Sequence, residues 1–276
     1  MLELLKCAFY GIVQGFTEFL PVSSSGHLAI LKNIFGLEFD DAILFTLILH
    51  LGSLAAVVII YFKDVKNMFF GFFSLLGKIF AGKFNFKNIN AGERLFLLVF
   101  VAAIPLVIGA FLEKQIDMLS DYTKIIGVFL IINAFILFFS DMIPKGEKNE
   151  KTATPKNALF VGFCQIIAIA PGISRSGSTI TGGLLNDFNR QFAVKFSFLM
   201  SIPAILGASV FKFVDFAKSD SEITGFMVGS SIIGLIFAFF AGLVAIVLLN
   251  LIARKKNFMV FSVYCLAVGL LAAIFG

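Results

Sequence analysis

Two short polar runs interrupt an otherwise apolar chain, and they hold most of its reactive side chains. The first is Gln14-Gly15-Phe16-Thr17-Glu18, leading into Pro21-Val22-Ser23-Ser24-Ser25-Gly26-His27. The second is Pro171-Gly172-Ile173-Ser174-Arg175-Ser176-Gly177-Ser178-Thr179. Gln14 and Glu18 are four residues apart, so on a helix they share one face. Ser and Gly ahead of a helix expose backbone donors, and the helix N-terminus adds partial positive charge. Arg175 contributes a planar fork suited to phosphate oxygens. The second run alone therefore reads as an anion cradle. The first adds an acid or base in Glu18, a proton shuttle in His27, and hydroxyl nucleophile candidates in Ser23, Ser24 and Ser25. Each has a plainer alternative: Arg175 as a structural ion pair with Glu18, His27 as a satisfied helix-end histidine. For His50, mid-span and opposite Ser201 in the repeat below, an interhelical hydrogen bond is the expected role. Surface pairing is the expectation for Asp187, Arg190 and Lys195.

The elements that must position these groups lie in lipid. Hydrophobic residues make up 59% of the 276-residue chain and charged residues 14%, against about 25% charged in soluble domains. The mean hydropathy is +0.99. Disorder, collagen, coiled coil and a secreted disulfide scaffold are excluded by the same figures. Cys7, Cys164 and Cys265 stand singly in apolar stretches and read as small buried hydrophobes. No C-x-x-C or His-rich cluster suggests zinc. The N-terminus, with Glu3 in place of a basic region, reads as retained and not as a cleaved signal.

Six segments near 42–62, 95–112, 124–143, 192–214, 225–252 and 259–275 are expected to span a bilayer, which takes roughly 20 apolar residues. Regions 1–35 and 158–189 are apolar but broken by the two polar runs. Irregular backbone at membrane depth survives only where protein or water covers it, so both regions are expected to be re-entrant hairpins. The segments 63–94, 144–157 and 253–258 carry 13 Lys and Arg, whereas 113–123 and 215–223 carry only Lys114 and Lys218. The basic segments are thereby assigned to the cytoplasm and both termini to the outside. The net charge of +5 does not call for nucleic acid. The basic, Phe-interleaved 63–94 reads as an amphipathic segment touching anionic membrane lipid.

A shift of 151 residues pairs Gly11 with Gly162, Gln14 with Gln165, Ser23 with Ser174, Ser25 with Ser176 and Gly26 with Gly177. It also pairs Ala42 with Ala193 and Phe45 with Phe196. The expectation is a single all-α polytopic membrane domain with an inverted-topology repeat. Each half, about 1–143 and 158–276, holds one broken re-entrant hairpin and three transmembrane helices, joined by a cytoplasmic linker at 144–157. The site is expected where the two broken regions meet.

At these residues the chain resembles the bacterial undecaprenyl-diphosphate phosphatases, also called bacitracin-resistance proteins. QGFTEFLPVSSSGH and PGISRSGST are similar to the two signatures of that family, and the likeness extends over the whole length. Where the family's first motif has Gln or Glu, this chain has Gln14, so no charged role falls to it. The resemblance implies removal of the terminal phosphate of undecaprenyl diphosphate, which returns the lipid carrier to cell-wall synthesis and confers bacitracin resistance. It implies a bacterial inner-membrane location and a divalent cation, Mg or Ca, with Glu18 the candidate ligand. Glu18, Ser24, His27 and Arg175 are the candidate catalytic residues. Gln14, Ser23, Ser25, Ser174, Ser176 and Thr179 are the candidate substrate contacts. Whether Ser24 or an activated water attacks phosphorus is open at this point. A lipid or anion transporter is the alternative that the repeat architecture also allows.

Overall fold

The computed structural model describes residues 2–35, 42–83, 85, 88–218, 225–255 and 257–276. Lys87 and Lys256, counted above for orientation, lie outside the described residues, as does the side chain of Lys114. The described chain is helical apart from turns, linkers and an isolated bridge between Lys148 and Phe188. In order the helices are α1 (Leu2–Phe19), α2 (Ser24–Phe35), α3 (Ala42–Ile60), α4 (Phe62–Phe80), α5 (Ala91–Ala103) and α6 (Leu106–Asp117). After a short 3-10 turn come α7 (Thr123–Met142), α8 (Pro155–Ile167), α9 (Arg175–Leu185), α10 (Arg190–Ala217), α11 (Gly225–Arg254) and α12 (Met259–Phe275).

Helices occupy all six expected spans. Ala91–Gly109, Thr123–Met142, Arg190–Ala217 and Met227–Arg254 are each long and apolar enough to cross a bilayer. Their outward faces carry large apolar side chains such as Phe100, Phe139, Phe211 and Phe240, as lipid-facing helices require. The chain is a multi-pass membrane protein. Two expected spans depart from a simple rod. The 95–112 segment breaks between α5 and α6 because Pro105 has no N–H to continue the ladder. Helix α3 meets α4 at a 91° bend. Helix α4 buries Met68, Gly71 and Leu75 and leaves Phe69, Phe70 and Phe73 exposed, the two-faced pattern of a helix lying along a surface. Helix α12, at 17 residues, is the shortest of the apolar set.

Small residues let the helix backbones approach. A Cβ on Gly11 would strike the carbonyl of Gly234, and one on Gly15 the carbonyl of Ala238, so α1 lies directly against α11. Without a hydrophobic drive between helices in lipid, such close packing supplies much of the association. Gly15→Ala is therefore expected to destabilise the protein by about 1–3 kcal/mol. An unchanged melting temperature in detergent would show that this contact does not bear on stability.

The ends of the helices are tied by charge. Lys195 of α10 pairs with Asp64 of α4 at 2.7 Å and with Glu150 of the linker at 2.9 Å. Arg94 of α5 donates to the carbonyls of Glu150 and Ala153. Arg190 pairs with Asp141 at 2.7 Å, and the pair is buried, deeper than a surface contact. Asp187 accepts from the Glu147 backbone. These ties join the segment 147–153 to α5, to α10 and to Asp187. The cysteines are unpaired; Cys7 and Cys265 are buried and Cys164 is half-buried.

Candidate active site

Both polar runs fold as breaks between short helices. Residues 20–23 separate α1 from α2, and residues 168–174 separate α8 from α9. In the first break Ser23 adopts a φ of 73°, and in the second Gly172 has a φ of 110°. A left-handed conformation at a non-glycine residue costs free energy and must be held in place by its surroundings. Here the Ser23 hydroxyl accepts from the amides of Gly26 (3.3 Å) and Gly172 (3.2 Å), and the Ser23 carbonyl accepts the His27 amide. The two breaks touch at backbone level: a Cβ on Gly26 would lie 2.9 Å from the Gly172 Cα. A third link runs from the Ser176 hydroxyl to the Leu20 carbonyl at 3.2 Å.

Across this seam the rare charges meet. Arg175 Nη2 donates to Glu18 Oε1 at 2.8 Å, with both side chains largely buried. Glu18 Oε2 accepts from Gln14 Nε2 at 3.0 Å and from the Ser24 hydroxyl at 2.7 Å. His50 Nε2 lies 3.7 Å from the same oxygen, while its Nδ1 bonds the Thr46 carbonyl one turn back. Arg175 Nη1 is buried with no hydrogen-bond partner among the described residues. Leaving such a donor unsatisfied costs about 1–3 kcal/mol, which an incoming acceptor would recover.

Glu18, Ser24, His50 and Arg175 line a cavity of about 220 Å³. Its polar lining includes Glu18, Ser23, Ser24, Ser25, Ser174 and Arg175, and its apolar lining includes Leu106, Ile169, Ala204, Ile205 and Ala208. A lining of both kinds suits a ligand that joins an anion to a hydrocarbon.

Residues 7–271 match a family model described as bacitracin resistance protein BacA. The chain belongs to this family. It is 39% identical over 272 residues to the undecaprenyl-diphosphatase of Alkaliphilus metalliredigens, covering 98% of each chain. It is 36% identical over 278 residues to that of Methanosphaera stadtmanae, covering 99% of this chain and 98% of the other. With that of Thermosipho melanesiensis the identity is 38% over 267 residues, covering 96% and 97%.

Within this BacA-family chain the sequence-derived candidates fall into two groups. Glu18, Ser23, Ser24, Ser25, Ser174 and Arg175 line the cavity together. Gln14, Ser176, Thr179 and His27 stand behind or beside it. Gln14 reaches Glu18 from a fully buried position. The Ser176 hydroxyl lies 3.0 Å from that of Ser174. The Thr179 hydroxyl is 2.6 Å from Ser197 and donates to the Arg175 carbonyl. His27 has its Nδ1 at 2.8 Å from the Ser23 carbonyl and its Nε2 at 2.8 Å from the Tyr264 hydroxyl, with the two rings stacked.

Three polar cavity residues were not assigned to the site from sequence. His50 faces Glu18 instead of bonding across to another helix by its ring. Thr17 adds a hydroxyl to the wall. Gln165 also lines the cavity, and both of its amide atoms are buried without a partner. The 151-residue repeat, which pairs it with Gln14, was the signal that could have found it.

Proposed function

We infer that this chain hydrolyses undecaprenyl diphosphate to undecaprenyl phosphate and inorganic phosphate, regenerating the lipid carrier of cell-wall polymer synthesis. The observation that carries this reading is the join of a Glu18–Ser24–Arg175 cluster to an apolar wall in one cavity. A diphosphate fits the first and the start of a prenyl chain fits the second. Arg175, with the Ser174–Thr179 backbone and hydroxyls, holds the diphosphate and stabilises charge on the transferred group.

Ser24 is the nucleophile in this proposal. Its hydroxyl already donates to Glu18 Oε2, which leaves an oxygen lone pair free for attack. Oγ bonds the terminal phosphorus as the bond to the bridging oxygen breaks. Glu18 takes the hydroxyl proton and passes it to the departing lipid phosphate. In the second half, water attacks the phosphoserine. Glu18 takes the water's proton and returns it to Ser24 Oγ as inorganic phosphate leaves. His27, outside the cavity wall, supports the turn through the Ser23 carbonyl.

A divalent cation, Mg or Ca, belongs to the proposal as a companion of the substrate. Among the described residues no three His, Cys, Asp or Glu side chains could hold one together, and Glu18 is the one carboxylate lining the cavity. That donor set suits an ion whose remaining oxygens come from the diphosphate. Bound beside Glu18, it would neutralise phosphate charge.

We read the two halves as an inverted repeat, with the chain in the bacterial inner membrane and the site facing its outer side. Exchange of equivalents supports the repeat: α1 packs on α11 as α8 packs on α5, and α3 also meets α10 and α7 meets α12. The basic linkers support the orientation.

Purified protein in detergent is expected to release phosphate from undecaprenyl diphosphate, and Glu18→Ala to lower that rate about 10²–10⁴-fold. Transport needs a sealed bilayer and hydrolysis does not. Absence of phosphate release in detergent, with lipid translocation in vesicles, would replace this reading by the transporter.

A further inference from the structure

Asn133 sits in the middle of α7, a span whose neighbouring buried positions are Ile126, Leu130, Ala134 and Leu137. A carboxamide within a membrane span needs partners, because lipid and apolar side chains offer none. It is fully buried and does not line the cavity. Its Nδ2 donates to the Pro21 carbonyl at 2.9 Å, in the break between α1 and α2. Its Oδ1 accepts from the Ser174 amide at 3.1 Å, at the start of α9. One side chain from a third element thus satisfies a carbonyl of one break and an amide of the other.

The chemistry of this bridge is restrictive. One break presents an acceptor and the other a donor, so the bridging group must carry both on one rigid plane. The surroundings leave room for nothing larger: Gly177 would place a Cβ 3.2 Å from Asn133 Oδ1, and Cys265 Sγ lies 3.4 Å from Nδ2. The sequence positions tied together are those of the cluster. Pro21 lies three residues from both Glu18 and Ser24, and Ser174 directly precedes Arg175. Two of the other links across the seam come from hydroxyls, which rotate, and a third is the Arg175–Glu18 pair itself. Asn133 alone of these anchors both breaks to a spanning helix.

We propose that Asn133 is a positioning residue that holds the Glu18–Ser24 turn in register with Arg175 for in-line phosphoryl transfer. It rests on the hydrolysis reading and deepens it. A small misplacement caused away from the reacting atoms is enough to cost about 10²-fold in rate. The substrate still finds its own contacts, so the loss falls on kcat and not on KM.

The test uses the full chain in detergent with undecaprenyl diphosphate. Asn133→Leu keeps the branched outline with more bulk and removes both hydrogen bonds; Asn133→Ala removes them with less bulk, and serves if the first fails to fold. Each is expected to lower kcat about 10–100-fold with KM within about threefold. Combined with Arg175→Lys, which already spoils the register at Arg175, Asn133→Ala is expected to add little, since residues acting as a unit are not additive. A merely structural Asn133 gives losses that multiply in the double variant and move with melting temperature. That pattern, or a kcat within twofold of wild type in a folded variant, overturns the proposal. Wild-type turnover separates the two readings: if it is absent, hydrolysis itself fails, and if present, the variants alone decide.

Discussion

Arg175→Ala is expected to cut phosphate release about a thousandfold, close to what removal of a transition-state donor costs elsewhere. The guanidinium has two jobs that this change removes together. Nη2 holds Glu18 at 2.8 Å, and Arg175 lines the cavity where a diphosphate would lie. Arg175→Lys should recover little, because an ammonium is a point charge without the planar fork. Loss of the pair also strands Glu18 as a buried charge, at about 3–5 kcal/mol of stability. The second effect can be removed without restoring the first. In Arg175→Ala with Glu18→Gln the stranded charge is gone, so melting temperature should rise above that of Arg175→Ala while activity stays lost. If instead the double variant regained turnover, the pair would be a structural ion pair and nothing more. The plain alternative that the sequence allowed is thus tested directly, since the structure contains that ion pair and a shared cavity at once.

How far the sequence reached depends on where each signal sits. The apolar helices and the two breaks were legible because lipid demands long apolar runs and punishes every exception. The seam was legible as a meeting of two motifs, and six of the ten candidates drawn from them line the cavity. What was missed lies within uniformly apolar helices. Helix α3 is hydrophobic all round, so periodicity gives no hint of which way His50 points, and it turned toward Glu18. The stacking of Tyr264 on His27 joins residues 237 positions apart, which no local pattern encodes. Asn133 did carry a signal: a lone amide in a span is costly unless satisfied. Its partners are backbone atoms of the two breaks, and backbone atoms leave no mark in a sequence. The break at Pro105 was readable as well, from the missing amide alone.

Ser24→Ala is expected to lower kcat by at least about 10³-fold, on the scale of nucleophile removal in other hydrolytic sites. Sequence spacing could not choose among Ser23, Ser24 and Ser25, nor between a serine and water. Geometry separates the three. The Ser23 hydroxyl is committed to the amides of Gly26 and Gly172, and its backbone is held left-handed. Ser25 lies near Ser23, 3.4 Å between hydroxyls, with no link to a carboxylate. Ser24 alone donates to Glu18, at 2.7 Å, at the first turn of α2 where the helix dipole favours a developing anion. The same carboxylate could instead poise a water, so the decisive readout is covalent. Substrate labelled at the terminal phosphate should leave label on wild-type protein quenched during turnover, and none on Ser24→Ala. Ser23→Ala, by contrast, should still become labelled but turn over more slowly, because it loosens the seam without touching the attacking oxygen. Retention of more than about a tenth of wild-type kcat by Ser24→Ala would mean that water, activated by Glu18, attacks phosphorus directly.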